Sequence, residues 1–95
     1  MKLTAPAPQE PDTKPGHYFV SCIVGRPGGR RVALLAGPFV NDHARALSMV
    51  EPARTAAGAA DPRAIWYAFG TARLDADHPR ADRPGVLNAA LGIAA

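Results

Sequence analysis

HYFVSCIVGRPGGRRVALLA, residues 17–36, is the stretch on which the fold of this chain turns. His17 to Val24 is short, β-branched and aromatic, which is strand composition. Gly25-Arg26-Pro27-Gly28-Gly29-Arg30 follows. Its adjacent glycines supply positive φ and Pro27 sets a corner, so the segment reads as a hairpin loop. Arg31 to Ala36 then reads as a second strand, antiparallel to the first.

Downstream of the hairpin, Gly37-Pro38-Phe39-Val40 ends the second strand and Asn41 is the expected N-cap of a helix, with Asp42 in its first turn. Ala46, Leu47, Val50, Ala53, Ala57 and Ala60 recur at helical spacing and define one face, with Leu47 and Val50 its expected anchors. Pro52 lies inside this helix and predicts a kink, because it has no N–H for the carbonyl of Ser48. Asp61-Pro62 breaks the chain direction, and Arg63 to Thr71, RAIWYAFGT, reads as a third strand. The helical crossover is long enough to return it parallel to the second. The sequence thus predicts an α+β domain: a small β-β-α-β sheet over residues 17–74 with one helix packed on a face. Residues 75–95 are expected to be a charged loop followed by a short apolar C-terminal element containing Val86, Leu87, Leu91 and Ile93.

Upstream, residues 1–16 hold four of the ten prolines and no periodic apolar pattern, so they read as a disordered arm. The whole chain has 95 residues, one domain at most, with a thin core. Much of its 47% hydrophobic content is alanine. No apolar run suits a membrane span, and Lys2 is followed by prolines rather than a signal core, so cytoplasmic residence is expected. The lone Cys22 sits in an apolar run and reads as a small buried hydrophobe of a reducing compartment.

The three strands are apolar on both sides. The first offers Tyr18, Val20, Cys22 and Val24 to one face, and Phe19 and Ile23 to the other. One helix covers one face, so the second face needs the C-terminal element, a second copy of the chain or another partner to cover it. The aromatics Tyr18, Phe19, Trp66, Tyr67 and Phe69 are the candidate interaction face, and aromatic sheet residues also serve as stacking platforms for single-stranded bases.

The sequence contains no catalytic motif. Ser21, Cys22 and Ser48 lack a G-x-S-x-G or comparable context near His17 or His43. His17, His43 and His78 have no second ligand at metal-binding spacing, so no metal and no cofactor are expected. The glycines of residues 25–29 do not open a helix and lack the Lys-Ser/Thr of a phosphate-binding loop. Net charge is +3, and nine of the eleven Lys and Arg residues are arginine. Arg26, Arg30 and Arg31 crowd the hairpin tip, where they are positioned for DNA or RNA phosphates.

Two resemblances extend this reading. Residues 31–39, RVALLAGPF, followed by Asn41, Ala44, Ala46 and Leu47, resemble the second half of a SPOR repeat, which implies a glycan binder. The motifs YFVS, ALLAGPF, DPRAIWYAFGT and PGVLN over residues 17–91 resemble short uncharacterised proteins of prophages and integrative elements of proteobacteria. That resemblance implies an accessory protein whose partners are DNA, RNA or another protein. The expectation is a non-enzymatic protein-interaction module, with an unidentified protein partner or self-association. A nucleic-acid binder using the arginine tip stands second and a SPOR-like glycan binder third.

Overall fold

A computed structural model describes residues 10–26 and 28–93, with only the backbone of Arg26. It has α+β architecture: a three-stranded antiparallel sheet and two helices. Strand β1 (His17–Arg26) pairs with β2 (Gly29–Val40) as a hairpin. Helices α1 (His43–Ser48) and α2 (Val50–Ala60) follow, then a 3₁₀ turn at Pro62–Trp66, then β3 (Ala68–Leu74). The sheet order is β2-β1-β3, so the apolar first strand lies in the middle. The third strand runs in the same direction as β2 but is hydrogen-bonded to β1, antiparallel.

The hairpin is longer than its sequence suggests. The ladder continues to Arg26 opposite Gly29, and Gly28 has φ +92°. Toward its other end β2 takes five residue steps, from Phe39 to Leu34, where β1 takes three, from Tyr18 to Ser21. These bulges let Leu35 and Ala36, adjacent in sequence, both join the cluster beneath the helices.

Two layers cover the sheet. On the helix side Tyr18, Val20, Cys22, Leu35, Ala36 and Phe39 pack with Ala46 and Ala53. The alanines let the helices approach closely, and both are fully buried. Leu47, an expected anchor, is half-buried and outside this cluster, while Val50 and Met49 pack against it. On the opposite side the alternation of β1 places Phe19 and Ser21, both buried, together with Leu34 of β2. The segment after β3 covers this end. Ala81 is fully buried and its carbonyl accepts from His17 Nδ1 at 2.7 Å.

Several local expectations are corrected. The single predicted helix is two, broken at Met49 (φ −97°, ψ −1°) rather than kinked at Pro52. Pro52 falls in the first turn of α2, where an N–H has no intrahelical partner to lose. Asn41 is not the N-cap. It adopts φ 54°, donates its N–H to the Gly16 carbonyl and accepts from the Gly16 N–H through Oδ1. Asp42 caps α1 instead, accepting from Arg45 N–H at 3.0 Å. The third strand starts at Ala68, not Arg63, because Asp61 caps and Pro62 opens the 3₁₀ turn through Trp66. Residues 1–9 of the expected arm lie outside the described residues, but 10–16 run along the body. Asp12 N–H donates to His43 Nδ1 at 2.7 Å and Tyr18 Oη donates to the Lys14 carbonyl. The segment 85–93 forms successive turns, with Leu87, Leu91 and Ile93 half-buried against the helix-side cluster.

Candidate functional site

The feature best suited to a ligand lies between β2 and the returning C-terminal segment. Three consecutive amides of that segment dock on β2: Gly85 N–H on the Gly37 carbonyl at 3.1 Å, Val86 on Leu34 at 3.1 Å and Leu87 on Leu35 at 2.8 Å. Asn88 completes the seam with both its amide atoms on the Gly37 backbone. Beyond the seam the two segments border an open groove of about 620 Å³, lined on one side by residues 30–34 and on the other by Arg80, Arg83, Pro84 and Val86. The floor is apolar. The charges are four arginines: Arg30, Arg31, Arg80 and Arg83, all exposed.

Among the described residues no carboxylate lines the groove. Asp82, between Arg80 and Arg83 in sequence, lies 3.5 Å from His17 Nδ1 instead. The other arginines with described side chains all have work elsewhere. Arg63 holds Asp61 at 3.0 Å and Arg73 holds Asp75 at 2.7 Å. Arg54 meets Glu51 at 3.5 Å and lies over the Phe69 ring at 5.1 Å, and Arg45 lies over Phe39 at 5.8 Å. Among the described residues, none of the four groove arginines makes an ion pair. Their charge is therefore available to an anion, and four like charges beside an apolar floor raise the local potential for one.

Of the residues singled out in the sequence, Arg30 and Arg31 are in the groove, and the side chain of Arg26 lies outside the described residues. Sequence reasoning missed Arg80 and Arg83, which read there as part of a solvated loop; only the docking of residues 85–87 brings them beside β2. The five aromatics do not form one face. Tyr18 is buried on the helix side, stacked on His43 with centroids 4.7 Å apart, and Phe19 is buried on the other. Tyr67 and Phe69 are half-buried against the helix-side cluster, and Tyr67 Oη donates to Asp61. Successive residues of a strand point to opposite faces, so Tyr18 and Phe19 never share one. Trp66 alone is open, at 86% exposure.

Other reactive groups are tied into the fold. His43 accepts at Nδ1 from Asp12 N–H, which puts its proton on Nε2, facing Thr71 Oγ1 at 2.9 Å. Burial pushes the Cys22 thiol up, away from the reactive thiolate. Ser48 donates to the Arg45 carbonyl. Among the described residues no group of three or more His, Cys, Asp or Glu is placed to hold a metal ion, and no helix is long and apolar enough to cross a membrane.

Comparison with protein-family models, with curated proteins and with solved structures finds no match.

Proposed function

We propose that this protein binds nucleic acid through the groove between β2 and residues 80–86. One observation carries the reading: the division of the arginines. Four are committed to carboxylates or aromatic rings of the protein itself, and the four in the groove are not. A groove that is open and lined by unneutralised guanidinium groups suits a polyanion rather than a small metabolite. Arginine makes bidentate contacts to phosphate oxygens, and displacing counterions from the polymer drives the association.

The hairpin-tip reading of the sequence narrows to Arg30 and Arg31 and gains Arg80 and Arg83. The protein-interaction reading rested on a second sheet face in need of cover, and on that face Phe19, Ser21 and Leu34 are already buried within the chain.

The test is binding of a labelled oligonucleotide across a salt series. With four phosphate contacts the logarithm of affinity should fall with the logarithm of salt at a slope of about −3 to −4. Arg80→Ala with Arg83→Ala should lower that slope by roughly 1.5 to 2. The Arg54→Ala control, outside the groove, should leave it unchanged. Absence of any complex at micromolar protein and about 50 mM salt would exclude the reading.

A further inference from the structure

We propose that the occupant of the groove is a single-stranded nucleic acid, whose bases lie across the uncovered end of the sheet and stack on Trp66. This rests on the nucleic-acid reading above and names its substrate class.

The groove does not end at β2. Val32, in its lining, pairs across the sheet with Ile23 of β1, and Ile23 pairs with Ala68 of β3. All three are exposed, although Phe19, Ser21 and Leu34 farther along the same face are buried. The apolar row therefore opens where the C-terminal cover stops. Trp66 extends it. Tyr67 has extended backbone (φ −88°, ψ 147°), and Tyr67 and Phe69 both pack with the helix-side cluster. Alternation across an extended residue then places Trp66 with Ala68 on the opposite side, that of the row. From Val32 to Ala68 is two interstrand spacings, about 10 Å, and Trp66 lies roughly another 6–7 Å along the line of β3. Phosphates held at Arg30, Arg31, Arg80 and Arg83 thus sit at one end of an apolar strip with an open indole at the other.

This arrangement distinguishes a single strand from a duplex. A duplex presents its sugar–phosphate backbone outward and keeps its bases stacked inside, so it satisfies the arginines and leaves the strip and Trp66 without a partner. A single strand has unstacked base faces to lay on aliphatic and indole surfaces. Ile23, Val32 and Ala68 offer no hydrogen bond to a base edge or a 2′-hydroxyl, so neither base sequence nor the choice of ribose or deoxyribose is read at the strip.

Trp66 is the chain's single tryptophan, so its emission reports the strip directly. The experiment titrates the full chain with 15-mers of deoxythymidine and of uridine and with a random 15-base-pair duplex, following both Trp66 fluorescence and the anisotropy of a labelled oligonucleotide. The expected result is quenching by both single strands, weaker binding without quenching by the duplex, and a loss of about 10-fold in single-strand affinity for Trp66→Ala at unchanged salt slope. Because Trp66 is exposed, this variant retains the fold, and Trp66→Phe restores part of the affinity. Equal binding of single strand and duplex with Trp66 emission unchanged overturns the proposal while the arginine groove stands. Binding of neither overturns both. A chain that is dimeric in light scattering and loses its dimer in Trp66→Ala assigns the strip to a second copy and also overturns it.

Discussion

Asn88 and Gly37, far apart in sequence, are joined like neighbouring strand residues: Asn88 Oδ1 accepts from the Gly37 N–H at 3.0 Å and Asn88 Nδ2 donates to the Gly37 carbonyl at 2.6 Å. The side-chain amide substitutes for a peptide group where β2 bulges, and Asn88 is buried to 4% exposure. Removing it leaves the Gly37 N–H without a partner in a region where water is scarce and leaves the Gly37 carbonyl with the Gly85 N–H alone. Asn88→Ala should therefore cost about 2–4 kcal/mol, more than an ordinary surface change. Urea denaturation measures the loss, and hydrogen exchange at the Gly37 amide should quicken more than at Cys22. A cost of a few tenths of a kcal/mol would mean that the seam holds without this pair.

The helix layer makes a second prediction, because its contacts come from alanines. Ala46 and Ala53 are fully buried beneath the helices, whereas Leu47 is only half-buried. Size therefore matters in the direction opposite to a leucine-anchored helix. Ala53→Leu forces extra methyl groups against the sheet and should cost about 1–3 kcal/mol. Leu47→Ala should cost less, about 1 kcal/mol, well short of the loss for a fully buried leucine. The midpoints of the two variants in urea decide the order.

The sheet was legible because its signals are local: strand composition on both sides of a Gly-Gly turn, then alanines at helical spacing. What was not legible followed from competition between local signals or from distance along the chain. Ile65 and Trp66 carry strand propensity, but Asp61 and Pro62 just before them form an N-terminal cap, and the cap prevailed. Asn41 is as good a cap by composition as Asp42, and only its reciprocal bonding to Gly16 decided between them. The groove lay further from view. Arg80 and Arg83 sit about 50 residues from Arg30 and Arg31, in a stretch with no apolar side chain beyond alanine, and no periodicity links the pairs.

Asp61 gives the fold a defined acid sensitivity. The Arg63 side chain and backbone N–H donate to its carboxylate, with Tyr67 Oη a further donor, and together they lower its pKa from 3.8 to about 2. A carboxyl whose folded pKa lies below its unfolded one stabilises the fold at pH values above the unfolded pKa, and that contribution is lost as pH falls through the folded one. The stability difference between the native chain and Asp61→Asn should thus be constant above about pH 5 and shrink between pH 4 and 2. Denaturant titrations of both at each pH measure it. A difference that stayed flat down to pH 2 would mean that the Asp61 cluster contributes nothing through its charge.

Gly85 links the seam to the proposed function. A Cβ at this position would lie 2.5 Å from both Ala36 N and Leu35 O, backbone atoms that cannot swing aside. Gly85→Ala must therefore lift residues 85–87 from β2, breaking or lengthening the three amide bonds that dock them. That displacement moves Arg80 and Arg83 away from Arg30 and Arg31 without removing a single charge. Two effects should appear together: lower stability, on the scale of Asn88→Ala or greater, and weaker oligonucleotide binding with a shallower salt slope, because fewer arginines reach one strand at once. The measurement is made at a temperature where the variant remains folded by circular dichroism. Binding with the native affinity and slope would show that net charge alone attracts the nucleic acid, and that the groove's geometry plays no part.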